Sequence, residues 1–161
     1  MKFLQSIVIS MVAAFMVSEN HSFSQTFLFK GQQSFQNEVI WSVYSNEIYH
    51  GNRYSGGALS YTIIDNQLYV GSGRYTDDCA YTIRDNEIFI GRSSFSNDLV
   101  YTIRENKIYA GNSTYSGDIL FTYNKGKIYR GDSTFLSDIL FTVEEGEDFD
   151  LRIIACIIGP F

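Results

Sequence analysis

The sequence predicts an all-β domain of tandem antiparallel β-hairpin repeats that close into a shallow, pseudo-symmetric β-barrel. Three observations predict it. Of 161 residues, 16% are aromatic and only one is proline, beside 13 glycines, which is a strand-rich profile. Glycine recurs every twenty residues at Gly31, Gly51, Gly71, Gly91, Gly111 and Gly131. Each period holds two runs of alternating apolar and polar residues around a two-residue turn.

Taken in order, residues 1–24 read as a signal peptide. Lys2 supplies a positive start, residues 4–17 are mostly apolar, and Ser22, Phe23 and Ser24 form a small-x-small cleavage pattern before Gln25. A cut near Ser18 is the second choice, and an uncleaved anchor is the alternative, disfavoured by a run too short to span a bilayer. No transmembrane helix is expected in the mature chain. Removing residues 1–24 takes away Lys2 and Glu19 together, so the net charge stays at -6. That acidity disfavours nucleic acid as a partner, because phosphate binding wants a basic face.

Residues 25–150 form the hairpin repeat domain. In phase with the glycines run Trp41, Tyr61, Tyr81, Tyr101, Phe121 and Phe141, each followed by Ser42 or a threonine. A third column, Asn46, Asn66, Asn86, Asn106, Gly126 and Gly146, holds the residue types that best tolerate positive φ and marks the hairpin tips. With two-residue tips, Leu99, Tyr101, Ile103, Ile108 and Ala110 share one face, and Thr102, Arg104, Lys107 and Tyr109 the other. A slip of one residue would turn the apolar set outward, so this register is the expected one. Between hairpins a Gly-to-Asp segment, such as residues 111–118, makes a second turn. Residues 51–60 depart from it: Tyr54 comes one place early, and Ala58 replaces the acidic residue of Asp78, Asp98, Asp118 and Asp138.

A lone hairpin is marginal in water, so the repeats must pool their apolar faces. Pairing around an axis gives a barrel without exposed edges. The alternative is a β-solenoid with one coil per unit, against which stand the rings on both faces of each hairpin. The segment Tyr81 to Gly91, YTIRDNEIFIG, followed by Arg92, Ser93, Ser94, Phe95 and Ser96, resembles the repeat of the beta-flower proteins, of the four-fold beta-flower-like kind. The resemblance covers roughly residues 27–149. It implies a shallow barrel with hairpin petals and an apolar channel, reminiscent of Tubby-like domains that hold a helix in the barrel. It implies no established activity.

Residues 151–161 break the repeat and are nearly all apolar. Read as a helix, residues 151–158 would be about 12 Å long and could plug the lumen. The other reading is a final edge strand, suited to β-branched side chains.

The chemistry-bearing residues are few. After cleavage His50 is the remaining histidine, at a strand position held elsewhere by Val70, Ile90 and Ala110, and it reads as a rim residue rather than a base or ligand. Glu38, Asp78, Asp98, Asp118 and Asp138 could ring a calcium ion, but structural duty in turns explains them. Neither a metal nor a cofactor is expected, nor catalysis. Cys79 takes the position of Leu59, Leu99, Ile119 and Ile139, expected to face inward, and Cys156 lies in the apolar tail. An exported chain meets an oxidising compartment, so a Cys79–Cys156 disulfide is predicted, with buried free thiols as the alternative.

The functional expectation is an exported, non-catalytic repeat domain, structural or binding, in the periplasm, at the cell surface or secreted. One alternative is a carbohydrate or cell-wall binding module using Tyr69, Phe89, Tyr109 and Tyr129 as an exposed aromatic column. Against this stands cross-strand packing of those rings on Thr62, Thr82, Thr102 and Thr122. Another is binding of an apolar small molecule or lipid through a central channel.

Overall fold

The computed structural model describes residues 25–34, 38–145 and 149–159. The leader segment, its cleavage site and the tip at Gly146 lie outside the described residues. Twelve strands follow: β1 (Thr26–Lys30), β2 (Val39–Tyr44), β3 (Glu47–His50), β4 (Ala58–Ile64), β5 (Gln67–Val70) and β6 (Cys79–Arg84), then β7 (Glu87–Ile90), β8 (Leu99–Arg104), β9 (Lys107–Ala110), β10 (Ile119–Asn124), β11 (Lys127–Arg130) and β12 (Ile139–Glu144). One helix, α1 (Leu151–Ile158), ends the described chain. Every strand pairs antiparallel with its neighbours, and β12 returns to β1, so the sheet is a closed barrel rather than a solenoid.

The hairpins have the expected two-residue tips, since Arg84 pairs with Glu87, Arg104 with Lys107 and Asn124 with Lys127. Their strain sits one residue earlier than the Asn/Gly column suggests. Ser45, Asp65, Asp85, Glu105 and Lys125 all have positive φ, whereas among the described residues of that column only Asn66 and Gly126 do. The tips are stitched sideways: Ile83 N–H donates to the Asn66 carbonyl at 2.8 Å, and the same bond recurs from Ile63, Ile103, Tyr123 and Val143.

Glycine and threonine columns have one joint purpose. The Thr102 hydroxyl donates to the Gly111 carbonyl at 2.7 Å, while Gly111 N–H donates to the Val100 carbonyl at 2.8 Å. Thr62, Thr82, Thr122 and Ser42 repeat the hydroxyl bond on Gly71, Gly91, Gly131 and Gly51. Gly111 has φ +53°, which only glycine adopts without steric cost, and this lets the strand turn away while its carbonyl stays within reach. The sixth copy joins the chain's two ends, for Thr142 donates to the Gly31 carbonyl across 111 residues. There are therefore six petals, five continuous and one assembled from β12 and β1, not the four that the resemblance implied.

A β-bulge corrects the expected faces at one position in each repeat. Leu68 pairs with Tyr81 but Tyr69 pairs with Cys79, so Ala80 is an extra residue, and Phe89 pairs with Leu99 in the same way. The insertion turns Cys79, Leu99, Ile119 and Ile139 to the outer face. Tyr81, Ile83 and Ile88, with their equivalents, keep the inward face.

Side chains just fill an eight-stranded barrel, and twelve strands leave a wider interior. Helix α1 fills it. Ile154, Ala155, Cys156, Ile157 and Ile158 are at most 2% exposed and share one core with Leu28, Val43, Ile48, Leu68, Ile88, Ile108 and Ile128 from strands all round. Asp150 caps the helix by accepting from Arg152 N–H at 2.8 Å, and Arg152 donates to the Asp85 carbonyl at the β6–β7 tip. At the other end a Cβ on Gly159 would collide with the Tyr101 ring. The axis thus runs from the tip end toward the end bearing the interhairpin loops. A final edge strand is excluded because the closed sheet offers no free edge. Within an apolar lumen, moreover, a helix satisfies its own backbone groups.

Candidate functional site

Polar and aromatic chemistry collects on the loops that join successive hairpins. Ser93 shows how one loop is held: its hydroxyl donates to Asp98 Oδ2 at 2.5 Å and accepts from Phe95 N–H at 3.1 Å. Ser113 does the same for Asp118 and Tyr115, and Ser133 for Asp138 and Phe135. A short 3-10 turn ends on each aspartate. Asp98, Asp118 and Asp138 of the acidic column are therefore engaged in loop geometry. Among the described residues, no group of three or more His, Cys, Asp and Glu side chains is placed to hold a metal ion.

Where the serine is missing, another oxygen takes its place. Gly73 leaves space that the Asp78 side chain occupies directly, and Asp78 accepts from Tyr75 N–H at 3.4 Å. In the irregular unit Asn52 accepts from Tyr54 N–H at 2.9 Å, and Gly56 closes the loop at φ +88°. Thus Tyr54, Tyr75, Phe95, Tyr115 and Phe135 each have their backbone N–H fixed by a side-chain oxygen. For the last four, φ lies between -84° and -78°.

Those five rings are 73% to 81% exposed, the most open large apolar side chains of the described residues. Leu136 stands beside one of them and is 66% exposed. Scattered apolar residues on a surface are ordinary, but four equivalent aromatics with one backbone conformation, and Tyr54 in the irregular unit beside them, form a repeated apolar presentation. Phe35 occupies the sixth register position and lies outside the described residues. Neighbouring loops are tied together, since Arg92 donates to Thr76 at 3.2 Å and Gln32 to the Leu136 carbonyl at 2.8 Å.

The strand column expected to be exposed is not. Tyr69, Phe89 and Tyr129 are 6%, 4% and 6% exposed, and Tyr109 is part-buried. They pair across the hairpin with Thr62, Thr82, Thr122 and Thr102, as the packing alternative had it. The bulged residues Cys79, Leu99 and Ile139 pair opposite Tyr69, Phe89 and Tyr129, as Ile119 does opposite Tyr109, adding outer-face cover. The phenol of Tyr69 donates back to Gln67 at 2.6 Å. In the first petal Arg53 lies 4.1 Å over the Tyr44 ring and 5.4 Å from Tyr49.

The predicted disulfide also fails. Cys79 and Cys156 are both buried free thiols. Cys79 lies on the outer face, its Sγ 4.0 Å from Thr82 Oγ1, and Cys156 lies inside the lumen, so the wall separates them. Burial pushes the Cys156 thiol well above its usual range, with Asp150 adding to the shift.

At the loop-end mouth, inward aromatics surround the helix terminus. Burial pushes the Tyr81 phenol up to about 12, with Tyr101, Cys156 and Tyr61 contributing in that order. His50 does lie at this rim, its ring 5.1 Å from Trp41 and edge-on to it. Beside it an open recess of about 440 Å³ is lined by Lys30, Glu38, Val39, Ile40 and His50. With α1 in the core, the barrel has no open central channel among its described residues.

Sequence reasoning missed the loop aromatics although their signal was present. An aromatic recurs amid Gly, Ser, Thr, Asn and Asp at 75, 95, 115 and 135, where turn chemistry alone would call for none. The family of 6-fold beta flower proteins matches residues 20–108 and 91–150, in agreement with the six petals counted in the barrel. No curated protein and no solved structure matches the chain.

Proposed function

The chain belongs to the 6-fold beta flower family, and we propose that it is an exported, non-catalytic binding domain that engages glycan of the cell wall or cell surface through its loop aromatics. The observation that carries this reading is the set of five aromatic rings, 73% to 81% exposed, whose backbone N–H groups are pinned by side-chain oxygens, four of them in equivalent loops. Pinning lowers the entropy lost on binding, and aromatic rings offer large rigid contact area.

Chemistry favours a sugar over other ligands. Between the rings the same loops carry Thr76, Ser96, Asn97, Ser116 and Ser137, so apolar faces alternate with hydrogen-bonding groups, as they do on a polysaccharide. A net charge of -6 works against polyanions and anionic membranes. Export rests on residues 1–24 acting as a signal peptide cut before Gln25. Binding of an apolar ligand through a central channel is disfavoured by α1, which occupies that space.

The test is retention on purified peptidoglycan sacculi and on immobilised oligosaccharides, comparing the parent with a Tyr75→Ala, Phe95→Ala, Tyr115→Ala triple variant. Each lost anchor should weaken binding by about tenfold, while the melting temperature stays close to that of the parent because the rings are outside the core. Equal retention of parent and variant, or retention of neither, would refute the proposal.

A further inference from the structure

Gln25 opens the described chain in an unusual setting. It is 8% exposed, and neither its Oε1 nor its Nε2 has a hydrogen-bond partner. The next residue, Thr26, is fully enclosed and pairs with Val43 in the first rung of β1. Ser42, Thr82, Thr102 and Thr122 each donate to a glycine carbonyl, whereas Trp41 Nε1 and Arg53 Nη1 are enclosed without a partner; among the described residues only the Gln25 amide lacks one at both of its ends. A buried primary amide with both ends unpaired is costly, and a buried charge without a partner is costlier still.

Cleavage before Gln25 would give residue 25 the α-ammonium group of the mature chain, on the same residue as that unpaired amide. We infer that Gln25 instead becomes an N-terminal pyroglutamyl residue, a modification that rests on the export and cleavage reading above. The chemistry is internal to the residue. The unprotonated α-nitrogen attacks side-chain Cδ, an N–Cδ bond forms to close a five-membered lactam, and the Cδ–Nε2 bond breaks. A proton released from the α-nitrogen passes to Nε2, which leaves as ammonia. No oxidant or reductant is needed. The ring removes the positive charge and both N–H donors of the primary amide, the two features that an enclosed site without partners disfavours.

The full chain is produced in an exporting host, recovered from outside the cytoplasm and treated while folded with an amine-reactive reagent before digestion. Its N-terminal peptide is then sequenced by mass spectrometry. The expected peptide begins at residue 25, lacks the label and is about 17 Da lighter than its composition, the mass of one ammonia. A Gln25→Ala chain, which cannot cyclise, should take the label. A peptide that begins at Gln25 with full mass and a labelled amine overturns this inference and leaves export standing. A peptide beginning at any other residue overturns both.

Discussion

At the scale of single residues, the lumen holds protons that an unfolded chain would release. Burial raises the Cys156 thiol above its ordinary 9.0 and the Tyr81 phenol from 10.0 to about 12. Both groups are neutral when protonated, so the native state binds more protons than the unfolded state between those values. Their contribution to stability is therefore complete below about pH 9 and declines as the pH rises toward 12. Urea unfolding measured at about pH 8 and again at about pH 11 should show a lower midpoint at the higher value. Cys156→Ala should lessen that drop, since it removes the thiol titration. A midpoint that did not move with pH would mean that water reaches both groups. The Cys79 thiol, on the outer wall beside Thr82, is also raised by burial, against the opposing hydrogen bond with Thr82, and acts in the same direction from outside the lumen.

At the scale of elements, the repeated unit is a hairpin whose threonine grips the glycine that ends its second strand. Thr102 is 5% exposed and its hydroxyl is 2.7 Å from the Gly111 carbonyl. Thr102→Val keeps the shape and loses that bond, so the domain should lose about 1 kcal/mol with an unchanged denaturant slope. An unchanged midpoint would show that the bond adds nothing over water. Much of this element was legible in the sequence. The two-residue tips followed from alternation, because a slipped register would have exposed Ile103 and Ile108. The face of Cys79 was not legible, since one bulged residue at Ala80 reverses the alternation without changing composition or spacing. The same bulge places Leu99 and Ile139 opposite Phe89 and Tyr129, which is why the strand aromatics are covered while the loop aromatics stand exposed.

For the whole molecule, closure and filling solve one problem together. Twelve short strands form a ring without edges only when β12 finds β1 across the length of the chain, and that ring is too wide for side chains alone. The apolar tail was recognised in the sequence as a segment needing burial, but its β-branched residues suited a strand as well as a helix. Closure decides between them, because no edge remains for a thirteenth strand and the lumen rewards a segment that satisfies its own backbone. Petal number was hidden for a related reason. Thr26–Lys30 reads as half a hairpin, and its other half lies at the far end of the repeat.

Helix α1 buries Ile154, Ile157 and Ile158 almost completely. At about 1.5 to 3 kcal/mol each, these three side chains together match the net stability of a small domain. The most direct measurement is the thermal unfolding of a chain ending at Asp150, followed by circular dichroism beside the full chain. The barrel described here predicts no cooperative transition in the shortened chain. A transition at the temperature of the full chain would show that the ring of hairpins stands without its central helix.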